Sequence, residues 1–69
     1  MYRTEQIARD ETKRHLVSTV KLLDGSYETM VFRNGVGKRN SLDVACYRTT
    51  DLATAKANHA VALSLYNKI

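Results

Sequence analysis

The stretch Leu16–Phe32, LVSTVKLLDGSYETMVF, decides the fold of this chain. Two runs rich in β-branched and aromatic residues flank Asp24-Gly25, and Asp-Gly between such runs is a strong signal for a hairpin. An isolated hairpin is only marginally stable in water, so other parts of the chain must cover it. The stretch therefore predicts two antiparallel strands, at residues 16–23 and 26–33, in the centre of a small domain.

The residues leave two hairpin registers open, because a shift by one residue exchanges the two faces of a strand. A two-residue type I′ turn places Lys21 opposite Glu28, whereas a type I turn with a glycine bulge at Gly25 shifts the pairing by one residue. The type I′ turn puts on one face Leu16, Val20, Leu22, Tyr27 and Val31. The bulged turn puts on one face Leu16, Val20, Leu22, Met30 and Phe32.

The later part of the chain predicts a third strand and a helix. Residues 42–48 alternate, with Leu42, Val44 and Cys46 on one side, and Cys46 is expected to be a small buried residue. Residues 50–67 are rich in Ala and Leu without a helix breaker, and Thr49 or Thr50 is the expected N-cap. The helix stripe that should pack on the sheet consists of Leu52, Ala55, His59, Ala62, Leu63 and Tyr66.

The N-terminal residues 1–15 are polar and lack an apolar stripe, so we expect a polar arm or a short helix supported by i,i+4 charge pairs. The remaining residues 16–69 form a single domain. The predicted class is α+β: a three-stranded antiparallel β-meander that a C-terminal α-helix covers on one face. With 69 residues, the chain has room for one small core.

Composition excludes several classes of protein. Cys46 is the sole cysteine, so an internal disulfide or a multi-cysteine zinc site cannot form, and a reducing cytoplasm is the expected compartment. No apolar run is long enough for a transmembrane helix, and the charged N-terminus is unlike a signal peptide. The formal net charge of +4 biases encounters toward acidic partners.

The residue pattern predicts no catalytic site, metal site or cofactor. His59 lies within the apolar helix stripe, where we expect a backbone carbonyl or a Tyr or Thr side chain to satisfy it. The loop GVGKRNS lacks the first glycine of a phosphate-binding loop, and Arg39 stands where that motif requires Ser or Thr. We therefore expect a protein that acts by binding and not by catalysis.

Two surfaces are candidates for binding a partner protein. Val61 and Leu65 lie on the outer side of the helix, where the N-terminal segment, a partner or a second copy of the chain could cover them. Lys38 and Arg39 form a basic loop that suits an acidic surface. The alternative is nucleic-acid binding, for which the candidate residues are Arg33, Lys38, Arg39, Lys13 and Arg14.

Short motifs resemble those of small uncharacterised proteins of tailed bacteriophages. These motifs are the strand YETMVF at Tyr27–Phe32, the Y-x-T at Tyr47–Thr49, and a helix that carries Ala55 and His59. The resemblance covers roughly residues 20–63. It implies a compact α+β fold and an accessory role in which the protein binds a host or viral protein in the host cytoplasm.

Overall fold

A computed structural model describes residues 3–33 and 43–67 of the chain. The strands form one antiparallel sheet in the order β1-β2-β3-β4, and α1 packs on one of its faces. The elements are β1 (Arg3–Glu11), β2 (His15–Leu22), β3 (Tyr27–Arg33), β4 (Asp43–Thr49) and α1 (Leu52–Asn67). The predicted α+β class with an antiparallel sheet and a C-terminal helix is confirmed, but the sheet has four strands instead of three.

The additional strand is β1, so the prediction of an N-terminal arm or short helix is wrong. β1 pairs with β2 with two register shifts, one between Arg3 and Glu5 and one between Gln6 and Ala8, and the second is a bulge that leaves Ile7 as an extra residue. This bulge interrupts the alternation of period two, and therefore the strand pattern does not show in the sequence. Arg9 Nη2 lies 3.7 Å from Glu11 Oε2, two residues along and on the same face of the strand.

The hairpin between β2 and β3 adopts the bulged register. Leu22 N donates a hydrogen bond to Ser26 O at 2.8 Å, and Gly25 N donates one to Leu22 O at 3.0 Å. Gly25 has a φ of +90°, which a residue without a Cβ adopts at little cost. As a result Val20 lies opposite Glu28, as the glycine bulge predicts.

The Asp24 carboxylate closes the same turn. Its Oδ1 accepts hydrogen bonds from Ser26 N at 2.9 Å and from Ser26 Oγ at 2.6 Å. Because these bonds favour the charged form, they lower the pKa of Asp24 below its ordinary value. The turn therefore holds its geometry best when the carboxylate is ionised.

α1 packs on one face of the sheet, which we call the covered face. Its buried core consists of Val17, Val31 and Ala62, against which Ala45, Tyr47, Leu63 and Tyr66 pack. Ala55 and His59 are buried as predicted, but Leu52 is exposed. Cys46 is also exposed, and its predicted burial is wrong because alternation along β4 turns Ala45 and Tyr47 toward the helix.

Asp51 caps the N-terminus of α1, in place of the predicted Thr49 or Thr50. Its Oδ2 accepts hydrogen bonds from Thr54 N and from Thr54 Oγ1, both at 2.8 Å. Ala55 N donates to the Asp51 carbonyl at 2.9 Å, which starts the helical ladder. The bonds from Thr54 lower the pKa of Asp51.

Candidate functional site

A chain of polar side chains crosses the covered face and joins three strands to α1. Thr29 Oγ1 lies 2.6 Å from Thr19 Oγ1, which lies 2.8 Å from His59 Nδ1. On the other side of the ring, His59 Nε2 lies 2.8 Å from Asp10 Oδ2. Both threonines are buried and His59 is 6% exposed. The hydrogen bond from Thr19 means that a Thr side chain satisfies His59, as predicted.

The order of donors in this polar chain is self-consistent for a neutral imidazole. A neutral imidazole that donates from Nε2 to the Asp10 carboxylate would accept the Thr19 hydroxyl proton at Nδ1, and Thr29 would then donate to Thr19. Some hydrolases also combine a hydroxyl, an imidazole and a carboxylate, but their nucleophilic hydroxyl must be reachable by the substrate. Thr19 is 0% exposed. The geometry therefore favours a structural role for these four polar side chains, which hold α1 on the sheet.

A small cleft opens between β1 and α1 beside His59. Its volume is about 280 Å³. The lining residues are Ile7, Ala8, Thr19, Lys56, His59, Ala60 and Leu63. Small-molecule sites are mostly apolar clefts of about 300–1,000 Å³ with a few polar groups. This cleft is just below that range, and its polar groups are Lys56, His59 and Thr19, although Thr19 has no accessible surface of its own. Over residues 3–33 and 43–67, no group of three His, Cys, Asp or Glu side chains could hold a metal ion.

The outer side of α1 carries an exposed apolar ridge with a spacing of four residues. Val61 is 57% exposed and Leu65 is 52% exposed, as expected for the outer side of the helix. Ala53 and Ala57 precede them at the same spacing and are also exposed. We call these four residues the helix ridge. Sequence reasoning found Val61 and Leu65 but missed the two alanines, although the spacing of four was the available signal.

The face of the sheet away from α1 is the second apolar surface, and we call it the open face. Its apolar residues are Leu16, Val20, Leu22, Met30, Phe32 and Val44. Five of them are half-buried and Val44 is 47% exposed. No helix or strand of the described residues lies on this face. Sequence reasoning grouped five of these residues correctly under the bulged register, but did not predict that the helix would leave them uncovered.

Three basic side chains meet at one end of the sheet. Lys13 and Arg14 lie in the short turn that Thr12 closes by accepting a hydrogen bond from His15 N at 2.9 Å. Arg33 is the register partner of His15 and is therefore at the same end. All three are exposed. We call this group the basic end. The other candidates for nucleic-acid or protein binding, Lys38 and Arg39, lie outside the described residues.

Comparison of the chain with models of known protein families, with curated proteins and with solved structures gave no match. Within the described residues, no helix has the length and apolar character needed to cross a bilayer.

Proposed function

We propose that this chain acts by binding another protein through the helix ridge. The observation that carries the proposal is that α1, a surface helix of sixteen residues, contains Lys56 as its one charged residue. A helix that covers a sheet normally places charged residues on its outer side, whereas α1 has alanine, valine and leucine there beside neutral polar residues. A partner that packs on the outer side would bury it.

The shape of the helix ridge suits a helical partner. Residues four apart form the ridges that fit into the grooves of another helix. Ala53 and Ala57 let a partner backbone approach closely, while Val61 and Leu65 supply the larger side chains that anchor a contact. Lys38 and Arg39 remain a further candidate surface for the same class of partner.

The proposal includes the role of a phage accessory protein in the host cytoplasm, with a host or viral protein as the partner. The motifs at Tyr27–Phe32 and Tyr47–Thr49 support the phage assignment. The proposed action is by contact, and the burial of the Thr19 hydroxyl supports contact over catalysis.

The test is affinity purification from infected and uninfected bacteria, with quantitative mass spectrometry of the captured proteins. The variant carries Val61→Asp and Leu65→Asp, and we expect it to lose a partner that the unmodified chain captures. Lys13→Asp is the matched control, because it lowers the net charge by the same two units away from the helix ridge. Circular dichroism checks that both variants fold. An identical set of captured proteins from the folded ridge variant would refute the proposal.

The basic end supports nucleic-acid binding as the second candidate function. Lys13, Arg14 and Arg33 are clustered and exposed, and cationic side chains that contact phosphates release counterions. This function predicts an affinity for duplex or single strands that falls as salt rises. Replacement of the three residues by Ala should reduce the slope of log K against log salt by about 3 on duplex DNA. A gel shift that is absent at low salt would exclude this function.

A further inference from the structure

The open face carries six apolar residues and the helix ridge four, and the two surfaces lie on opposite sides of the molecule. Apolar patches that extend over several strands usually mark a contact with another macromolecule. We propose that the open face binds the open face of a second copy, so that the chain forms a symmetric dimer of two stacked sheets. This contact is independent of the partner that the helix ridge would bind.

The charges on the open face favour a second copy as its occupant. Six charged residues share this face by register: Arg3, Arg9 and Glu11 on β1, Glu28 on β3, and Asp43 and Arg48 on β4. Three are positive and three are negative, so their sum is zero, whereas the whole chain carries +4. The face of one copy therefore does not repel the same face of another, and it has no net charge to select an acidic or a basic partner.

The positions of four of these charged residues are compatible with a two-fold axis. Arg9 and Glu11 lie on the edge strand β1, near the turn before His15. Glu28 and Arg48 are register partners near the opposite end of the sheet, where Arg48 also lies 3.7 Å from Asp24. The two pairs thus occupy opposite corners, with the apolar residues between them. A two-fold axis along this apolar band places each charged corner over the other corner of the partner, where both signs can be matched.

The size of the open face is close to what a stable dimer needs. Four strands spaced about 4.8 Å apart, with about eight residues of about 3.3 Å each, give a projected area of about 500 Å². Because side chains project from this plane, the accessible area of the face is greater than its projected area. Standard interfaces bury about 800 Å² per partner. Two faces of this kind would pack about 10 Å apart, as in β-sandwiches.

Sedimentation equilibrium over a range of protein concentrations tests the proposal. We expect the unmodified chain to be a dimer, and Met30→Asp or Phe32→Asp to raise its dissociation constant about tenfold or more. The control is the ridge variant with Val61→Asp and Leu65→Asp, which should remain dimeric. A ridge variant that loses its captured protein but stays dimeric separates the two proposals, since the two surfaces then act independently.

Oxidation of Met30 in the unmodified chain provides a readout that does not depend on the folding of a variant. We expect the rate at which peroxide forms methionine sulfoxide at Met30, relative to added free methionine, to fall as the protein concentration rises and the face becomes buried. A chain that is monomeric at every concentration would refute the dimer, and so would a Met30 oxidation rate that is independent of concentration. A dimer that the ridge variant dissociates, while folded variants of the open face do not, would refute it as well.

Discussion

The two faces of the sheet differ in the size of the side chains that they carry. The covered face has Val17, Thr19 and Val31 under α1, whereas the open face has Leu16 and the larger Met30 and Phe32. Directly under the helix the covered face thus carries small side chains, although Tyr47 packs against the same core. This difference indicates that a close fit, and not the largest hydrophobic gain, decides which face α1 covers.

The close fit has two components. Ala55 and Ala62 on α1 are fully buried, and their small side chains allow the helix to lie near the strands. The hydrogen bond between His59 and Thr19 then requires the helix on that face, because it joins a helix side chain to a strand side chain. A polar chain of this kind contributes less apolar burial than a wholly hydrophobic core, but it specifies one arrangement. The larger apolar residues are left for contacts outside the chain.

The largest expected effect is the difference in stability between charge substitutions at two neighbouring residues, one on each face of the sheet. Val31 is 0% exposed on the covered face, whereas Met30 lies on the open face. Val31→Asp buries a charge without a partner, and we expect it to lower the free energy of unfolding by about 4 kcal/mol, enough to unfold a domain of this size. Met30→Asp should cost about 1 kcal/mol, through β-propensity and lost packing.

Urea unfolding monitored by circular dichroism measures both values. Val61→Asp serves as the control for an added charge at an exposed apolar residue. The measurement is made at a protein concentration at which the chain is monomeric, so that loss of the proposed dimer contact does not enter the comparison. Equal losses of stability at Val31 and Met30 under this condition would show that the open face is buried within the folded monomer, which contradicts the comparison.

Removal of the imidazole tests the polar component of the covered face. His59→Ala removes the bonds to Thr19 and Asp10 and leaves a space under α1, so we expect a loss of about 3 kcal/mol. Lys56→Ala, at an exposed position one turn earlier, is the matched control and should change the stability little. If the two variants have the same unfolding midpoint in urea, the polar chain does not hold the helix.

Gly25 sets the register that assigns residues to the two faces. A Cβ at this position meets no heavy atom within 4 Å, so the cost of Gly25→Ala comes from the positive φ alone. We expect a loss of about 1 kcal/mol, and a smaller loss for Gly25→Asn because Asn tolerates this region of φ. Thermal unfolding of the two variants provides the comparison, and an Asn variant less stable than the Ala variant would contradict this account of the turn.

The smallest expected effect is on the stability of the protein at acidic pH. The pKa values of Asp24 and Asp51 are lowered from 3.8 by bonds from Ser26 and Thr54. These carboxylates therefore contribute stability that is present above pH 3.8 and is lost as the pH falls through their lower folded-state values. Asn at both positions can accept similar bonds without titration, so the urea midpoint of the double variant should fall less on acidification. A parallel fall in both proteins would contradict the prediction.

The hairpin and the helix could be predicted because their signals are local. Asp24-Gly25 marks the turn, and the Ala-rich run after Asp51 has no helix breaker. β1 could not be predicted, because the bulge at Ile7 hides its alternation and its partner is another strand.

The identity of the covered face was also beyond the sequence. The bond that fixes it joins Thr19 to His59, which are 40 residues apart in the chain. Sequence reasoning predicted the kind of partner that His59 would have, but not which residue it would be. It placed Val61 and Leu65 on the outer side of the helix correctly, whereas the open face depended on where the helix would lie.

The order of the strands in the sheet is the same as their order in the sequence. Each strand hydrogen-bonds to the strand that precedes or follows it, so most backbone pairings join residues that are close in the chain. Chains with such local pairings lose little entropy when each contact closes, and they fold faster than chains with distant pairings. During synthesis each hairpin can form as soon as its second strand leaves the ribosome, and the helix completes the core last.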